Sequence, residues 1–268
     1  MQALRHGNGT GAVNARISFG RSEVAVDLAH PISLAMPVDF SGSGPRHFGA
    51  PAASAQPFVA PGFSGAVATG ASCNCSTITL TPHCNGTHTE CAGHLTRELL
   101  DAHTVVPYGL LPALLLSIQP VAADDTSGDL LITGEALERG WLLNGQVEPY
   151  QGGFEPRALV MRTGSATAYL SQDAAQWLVQ RGVEHLIVDL PSIDRAEDGG
   201  RLLAHRIFFG LPLESRTLAQ AMRPRCTVTE LALIPQDVAD GWYLLELQVP
   251  ALGGDAVPSR PLLYPLLS

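Results

Sequence analysis

The chain has 268 residues, of which 46% are hydrophobic and 15% are charged, and its formal net charge is −9. This composition is typical of a compact globular protein, and the negative charge argues against nucleic acid as a partner. All sixteen cationic residues are arginines, which excludes a Schiff-base lysine and the lysine of a phosphate-binding loop. No Gly/Ser-rich or Pro-rich linker separates two regular halves, so we expect one domain over residues 1–268.

The N-terminal segment is rich in glycine and asparagine, and we expect residues 1–23 to be flexible. It lacks the apolar core of a signal peptide, and the five cysteines are an odd number, which favours a reducing compartment. The longest apolar run, residues 105–118, contains Pro107 and Pro112 and is too short to span a bilayer. We therefore expect a cytoplasmic protein without membrane contacts.

Hydrophobic periodicity predicts a mixed α/β fold with more strand than helix. Strands are predicted within residues 22–34, 76–83, 157–163, 183–194, 226–234 and 240–252, and helices within residues 134–144 and 171–182. Between the first two strands, residues 36–72 are rich in Gly, Ala, Ser and Pro, which predicts a long surface loop.

A dense cluster of metal-binding side chains follows the predicted strand at residues 76–83. Residues 83–94 read HCNGTHTECAGH and contain three histidines, two cysteines and one glutamate. Imidazole and thiolate are the usual zinc ligands, whereas carboxylates also suit magnesium and manganese. The cluster therefore predicts a divalent metal site and favours metal-assisted hydrolysis.

The segment TLTPHCNGTHTECAGHL resembles the signature of the cyclase family of metal-dependent hydrolases, which includes bacterial kynurenine formamidase and isatin hydrolase. His88 and His94 stand at family positions, and Glu90 stands where the family has an aspartate. Cys84 occupies the place of the family's first histidine, while His83 lies one residue earlier, so either side chain could be the ligand. The stretches DLAHPI (27–32) and DLPSID (189–194) resemble further family segments.

The resemblance implies a single-domain α/β fold with a mixed, barrel-like sheet and flanking helices. It also implies a second ligand pair, which His205 and Glu230 match. Glu90 could bridge two metals, since paired metal sites commonly share a carboxylate. His94 matches the catalytic histidine of the family, and imidazole is suited to general acid/base work near neutral pH. One or two zinc ions are expected, with manganese as an alternative.

The expected activity is hydrolysis of the C–N bond of a small amide, with N-formylkynurenine, cleaved to kynurenine and formate, as the first candidate. The resemblance also implies a homodimer. The alternatives are a lactam, lactone or ester hydrolase of the same family, and a small-molecule-binding protein that has lost turnover.

Several side chains keep two interpretations at the sequence level. Asp194 could orient a ligand histidine, or it could cap the turn after a strand. The phenylalanines of the predicted loop could form an aromatic wall of the substrate-binding site, although their spacing does not require it. A structural zinc site with four cysteines is disfavoured, because its spacing differs from the usual CxxC pairs. The residues concerned are Phe40, Phe48, Phe58 and Phe63 for the wall, and Cys73, Cys75, Cys84 and Cys91 for the zinc site.

Overall fold

The structure is a computed structural model, and it describes residues 13–123, 127–144 and 155–267. Its strands are β1 (Asn14–Phe19), β2 (Ser22–Asp27), β3 (Ile32–Ser33), β4 (Ser54–Pro57), β5 (Val59–Ala60), β6 (Phe63–Ser64), β7 (Ser76–Thr79), β8 (His88–Cys91), β9 (Leu110–Ser117), β10 (Val121–Ala122), β11 (Leu130–Ile132), β12 (Ala158–Arg162), β13 (Tyr169–Leu170), β14 (His185–Val188), β15 (Thr227–Glu230), β16 (Gly241–Gln248), β17 (Ala256–Pro258) and β18 (Arg260–Leu267). Its helices are α1 (Pro82–Asn85), α2 (Ala102–Val105), α3 (Gly134–Asn144), α4 (Gln172–Gln180) and α5 (Leu203–Phe209).

One large mixed sheet organises the described part of the chain. Ten strands follow one another in the order β1, β2, β18, β16, β9, β12, β14, β15, β8 and β17, and β3 pairs with β18 as the eleventh. The central strands β9, β12, β14 and β15 are parallel to one another, whereas their outer neighbours pair antiparallel. The prediction of a mixed α/β fold with more strand than helix is confirmed.

The central strands are covered on both faces, and every residue of β12 and β14 is buried. Because successive side chains of a strand point to opposite faces, alternate residues belong to two different core clusters. One cluster joins Leu159 and Met161 to the helices, including the fully buried Phe208 and Phe209 of α5. The other lies on the opposite face and contains Val160. The sheet is thereby a rigid support for α5.

The longer predicted elements are present. The predicted helix at residues 171–182 is α4, and Ser171 caps it by accepting a hydrogen bond from the N–H of Ala174. The apolar run at residues 105–118 contains the last residue of α2 and the whole of β9, most of which is buried. Within the described residues, no helix combines the length and the apolar character needed to cross a membrane.

One prediction about the N-terminal part needs correction, and another stays a prediction. From Asn14 onward, the segment expected to be flexible forms the β1–β2 hairpin, and β2 also pairs with β18. Residues 1–12 lie outside the described ranges. The predicted loop at residues 36–72 contains β4, β5 and β6, which build small antiparallel pairs (β4 with β7, β5 with β6).

The strand predicted at residues 76–83 ends early. β7 stops at Thr79, and Pro82 begins the one-turn helix α1, where a proline in the first turn sacrifices no hydrogen bond. The metal-binding cluster is therefore divided between α1, the separate strand β8 and the 3₁₀ turn Ala92–Leu95. This division lets its histidines approach one point from different directions.

Candidate metal centre

Two neighbouring strands contribute buried carboxylates and one histidine. In β8, His88 and Glu90 are two residues apart, so both side chains project from the same face. β15 pairs antiparallel with β8 and places Glu230 opposite His88, with His88 Nε2 3.5 Å from Glu230 Oε2. Glu230 Oε1 also accepts a hydrogen bond of 2.8 Å from the N–H of Ile193. All three site residues are almost completely buried.

The helix α5 brings His205 to the same point. The carboxylate of Asp194 accepts hydrogen bonds from the N–H groups of Ala204 (2.7 Å) and His205 (3.1 Å), and also from the Nδ1–H of His205 at 2.6 Å. His205 Nε2 is thereby directed toward Glu90, and it lies 2.6 Å from Glu90 Oε1. Asp194 therefore has the orienting role among the two that the sequence left open, and it also satisfies N–H groups in the first turn of α5.

Two more histidines approach from the cluster itself. His83 Nδ1 lies 2.9 Å from Glu90 Oε2, and His83 Nε2 lies 3.0 Å from Asp255 Oδ2. His94 Nδ1 lies 3.1 Å from the same oxygen of Asp255. The centroids of the two imidazole rings are 4.3 Å apart. Glu90 therefore contacts histidines from α1 and α5, and Asp255 joins His83 to His94.

The electrostatic field at this point is set by carboxylates. Burial raises the pKa of a carboxyl group, but the charges of His94 and His205 outweigh burial at Glu90 and hold its pKa well below its usual value. Burial likewise opposes a charged His83, yet hydrogen bonds to Asp255 and Glu90 raise its pKa to about 10. The same arrangement of carboxylates attracts a divalent cation.

The donor set fits such a cation. Two overlapping groups, His83–Glu90–His94 and His88–Glu90–Glu230, each offer ligand atoms within 4.8 Å of one another. In the described part of the chain, the buried atoms His88 Nε2, Glu90 Oε1 and His205 Nε2 have no aligned hydrogen-bond partner. Buried polar atoms are nearly always paired, and a cation bound between these three would satisfy them. Imidazole nitrogens with carboxylate oxygens suit zinc or manganese.

A cavity of about 390 Å³ opens onto these groups. Its polar part includes His83, His94 and His205, and Phe48, Ala196 and Leu202 add apolar side chains. The volume lies in the range of small-molecule sites. The cavity therefore has room for a small organic substrate beside the histidines.

Phe48 occupies an unusual position in the cavity wall. Its φ is +54°, in the left-handed region that bulky residues rarely adopt, and its side chain remains 56% exposed. The loop that carries it is tied to α1, since the side chain of Asn85 donates to the carbonyls of Pro45 and Pro51. Phe48 therefore presents a strained and largely exposed aromatic side chain at the cavity.

The structure brings six of the seven residues predicted for the site into one constellation, namely His83, His88, Glu90, His94, His205 and Glu230. Cys84 lines the same cavity but belongs to neither ligand group. Burial, together with the charge of Glu230, raises the pKa of its thiol. Cys73 and Cys75 are exposed whereas Cys84 and Cys91 are buried, and no four-cysteine group occurs within the described ranges.

Sequence reasoning missed Asp255. This residue follows the glycine pair of the segment LGGD and belongs to no periodic pattern or recognised motif. Its place is fixed by long-range pairing, because β17 lies antiparallel to β8 with Ala256 opposite Glu90. Only the pairing of strands far apart in sequence could have identified it.

Similar proteins are known both by sequence and by fold. The family model Cyclase, described as "Putative cyclase", matches residues 26–195. Among curated proteins, no match to the chain was found.

Three solved structures illustrate the likeness of the fold. A structure titled "Potential Metal-Dependent Hydrolase With Cyclase Activity" is 17% identical, has a TM-score of 0.59, and the match covers 88% of this chain and 97% of that one. A predicted metal-dependent hydrolase from Bacillus stearothermophilus is 17% identical with a TM-score of 0.55, covering 88% and 98%. Isatin hydrolase A from Labrenzia aggregata, bound to benzyl benzoate, is 13% identical with a TM-score of 0.57, covering 88% and 93%.

The geometry separates His83 from Cys84 as candidate ligands. We expect His83→Asn to lower the affinity for zinc or manganese strongly, because its ring contacts Glu90 directly. The neighbouring variant Cys84→Ser serves as the matched control and should bind metal as the unmodified protein does. Metal titration monitored by calorimetry, with metal content measured by mass spectrometry, checks both. Loss of metal from Cys84→Ser alone would show that the thiol is the ligand.

Proposed function

Because the chain belongs to the cyclase family, we propose that it is a metal-dependent hydrolase that cleaves the C–N bond of a small amide. The observation that carries this proposal is the convergence of histidines from α1, β8 and α5 on the buried carboxylates Glu90 and Glu230. These donors come from parts of the chain more than a hundred residues apart. A purely structural role would not require so many titratable groups around one cavity.

The donors around Glu90, His94 apart, would suffice for two divalent cations. His83 with Glu90 would hold one cation, and His88, Glu230 and His205 with Glu90 would hold the other. When bound, divalent metals supply Lewis-acid polarisation of a carbonyl and activation of water. Zinc is the first candidate because imidazole nitrogens dominate the set, and manganese is the second.

His94 is placed to move the proton that amide cleavage requires. Its Nδ1 faces Asp255, and the residue lines the cavity with 27% of its side chain exposed. The leaving nitrogen of an amide must be protonated before it departs, and a histidine beside the cavity can donate that proton. His94 therefore acts as general acid/base, whereas His88 and His205, which are fully buried, serve as ligands.

The cavity favours a small substrate with an apolar or aromatic part. Its basic side chain other than the histidines is Arg195, which is already paired with Asp129 at 2.8 Å. Phe48 offers an aromatic surface. N-formylkynurenine is the first candidate, and a lactam such as isatin is the second, because isatin hydrolase shares the fold. A cytoplasmic location and a homodimer stay predictions.

The activity depends on metal if the proposal is correct. Hydrolysis should be measured on a panel containing N-formylkynurenine, isatin and a simple aryl lactone, before and after removal of metal with a chelator. We expect turnover to vanish on chelation and to return with added zinc or manganese. The product formed identifies the formamide, lactam or lactone class. A chain that binds no metal and is indifferent to the chelator contradicts the proposal.

The role of His94 is tested by replacing its ring. His94→Ala should lower kcat by about 10²–10⁴-fold, the usual contribution of a general acid/base, while bound metal stays unchanged. His30→Ala is the control, because His30 is exposed and pairs with Asp27 away from the site. Release of metal by His94→Ala would instead make His94 a ligand.

The strained aromatic residue can be tested without destabilising the fold. Phe48→Gly relieves a left-handed conformation that costs roughly 1–2 kcal/mol, and this gain offsets the roughly 0.5–1 kcal/mol of backbone entropy that glycine loses on folding. We expect an unchanged or slightly higher Tm together with a KM raised about tenfold for an aromatic substrate, which corresponds to about 1.4 kcal/mol. Phe58→Gly, outside the cavity, should leave KM unchanged. An unaltered KM in Phe48→Gly would exclude substrate contact.

A further inference from the structure

Asp255 is the acidic side chain that links two site histidines from outside the matched family segment. It precedes β17, about sixty residues beyond the stretch 26–195 that matches the family model. Its Oδ2 lies 3.0 Å from His83 Nε2 and 3.1 Å from His94 Nδ1. One carboxylate oxygen therefore accepts hydrogen bonds from two imidazoles.

We propose that Asp255 is a positioning residue that fixes the ring orientation and the tautomer of both His83 and His94. This role deepens the proposed function and rests on it. When His83 donates its Nε2–H to Asp255, the lone pair on its Nδ1 remains free for a cation beside Glu90. When His94 donates its Nδ1–H to Asp255, its Nε2 remains available for proton transfer in the cavity.

The other side of the same site already shows this arrangement. Asp194 accepts the Nδ1–H of His205 at 2.6 Å, and the opposite nitrogen of that ring faces Glu90 at 2.6 Å. His83 repeats the pattern with its nitrogens exchanged, since Nε2 faces Asp255 and Nδ1 faces Glu90. Carboxylates that hold the far nitrogen of a ligand histidine orient the ring and increase its basicity. The site thus has two carboxylate–imidazole pairs that converge on Glu90.

The backbone holds Asp255 in place independently of its side chain. The N–H of Cys91 donates to the carbonyl of Asp255 at 3.0 Å, next to Glu90 in β8. On the other side, the N–H of Gly254 donates to the carboxylate of Asp101 at 2.8 Å. Among the described residues, the carboxylate of Asp255 makes hydrogen bonds only to His83 and His94. Its position is therefore set by β8, and its charge serves the two histidines.

The variants Asp255→Asn and Asp255→Ala test the role, with Asp101→Asn as the control. Asp101 supports the same turn through Gly254 but touches neither histidine. Three quantities should be measured: zinc affinity by competition with a chelator, the tautomers of His83 and His94 by ¹⁵N NMR of the zinc-loaded protein, and kcat separately from KM on the active substrate of the panel. The asparagine variant keeps the shape of the side chain if the alanine variant folds poorly.

We expect Asp255→Ala to weaken zinc binding about 10–100-fold, the usual effect of losing such a partner. The tautomers of His83 and His94 should become mixed, and kcat should fall while KM changes little. Asp101→Asn should show none of these changes. Wild-type zinc affinity and tautomers in Asp255→Ala would overturn the inference.

A different result would also overturn it. If Asp255→Ala binds one zinc ion fewer per chain even at saturating zinc, Asp255 is a ligand and not a positioning residue. If the unmodified chain binds neither zinc nor manganese, the proposed function is contradicted instead. In that case the role of Asp255 is decided only by whether Asp255→Ala changes the tautomer of His94.

Discussion

The buried carboxylate of Glu90 is the constraint on which the site depends. An ionised carboxylate at 1% exposure is strongly destabilising unless opposite charges and hydrogen bonds surround it. The chain meets this requirement with imidazoles from α1 and α5, which reach its two oxygens from different directions. Any packing that moved α5 away from the sheet would remove the imidazole that faces Glu90 Oε1. The hydrophobic anchoring of α5 through Phe208 and Phe209 is therefore also a condition for the site.

Polar contacts around this charge fix the strands to one another. The hydroxyls of Thr89 and Thr229 lie 2.7 Å apart across the β8–β15 pair, and Thr87 donates to the carbonyl of Leu231. Leu231 itself has a φ of +54°, directly after the ligand candidate Glu230. Leu202, with a φ of +49°, stands immediately before the helix that carries His205. Strain beside two site residues indicates that their directions are set by the fold at a cost in stability.

The sequence predicted the supporting elements better than the connections between them. Long periodic segments such as α4 fit only an amphipathic helix with one buried face. Short, largely apolar segments such as β12 and β14 fit strands that are buried on both faces of a sheet. The predicted loop at 36–72 failed because strands of two to four residues are too short to show an alternating pattern. The hairpin of β1 and β2 was not predicted either, since β2 pairs with β18, a strand far away in sequence that no local pattern reveals.

The same distinction applies to the site. A motif concentrated in twelve residues predicted His88, Glu90 and His94, and the family resemblance added His205 and Glu230. Asp255 could not be found in this way, since a single aspartate after two glycines is indistinguishable from an ordinary turn residue. Its importance arises from the antiparallel pairing of β17 with β8, which no local pattern encodes. A single sequence therefore does not predict contacts that isolated polar residues make with partners far away in sequence.

Glu90, His83 and Asp255 form one connected chain of contacts. His83 Nδ1 lies 2.9 Å from Glu90 Oε2, and the other ring nitrogen, Nε2, lies 3.0 Å from Asp255 Oδ2. Asp255 directly precedes β17, which pairs with β8 and so holds the aspartate beside the strand that carries Glu90. Replacing Asp255 would leave His83 Nε2 without this acceptor, and replacing His83 would remove one imidazole from the buried carboxylate of Glu90. The three residues therefore depend on one another, although they come from distant parts of the chain.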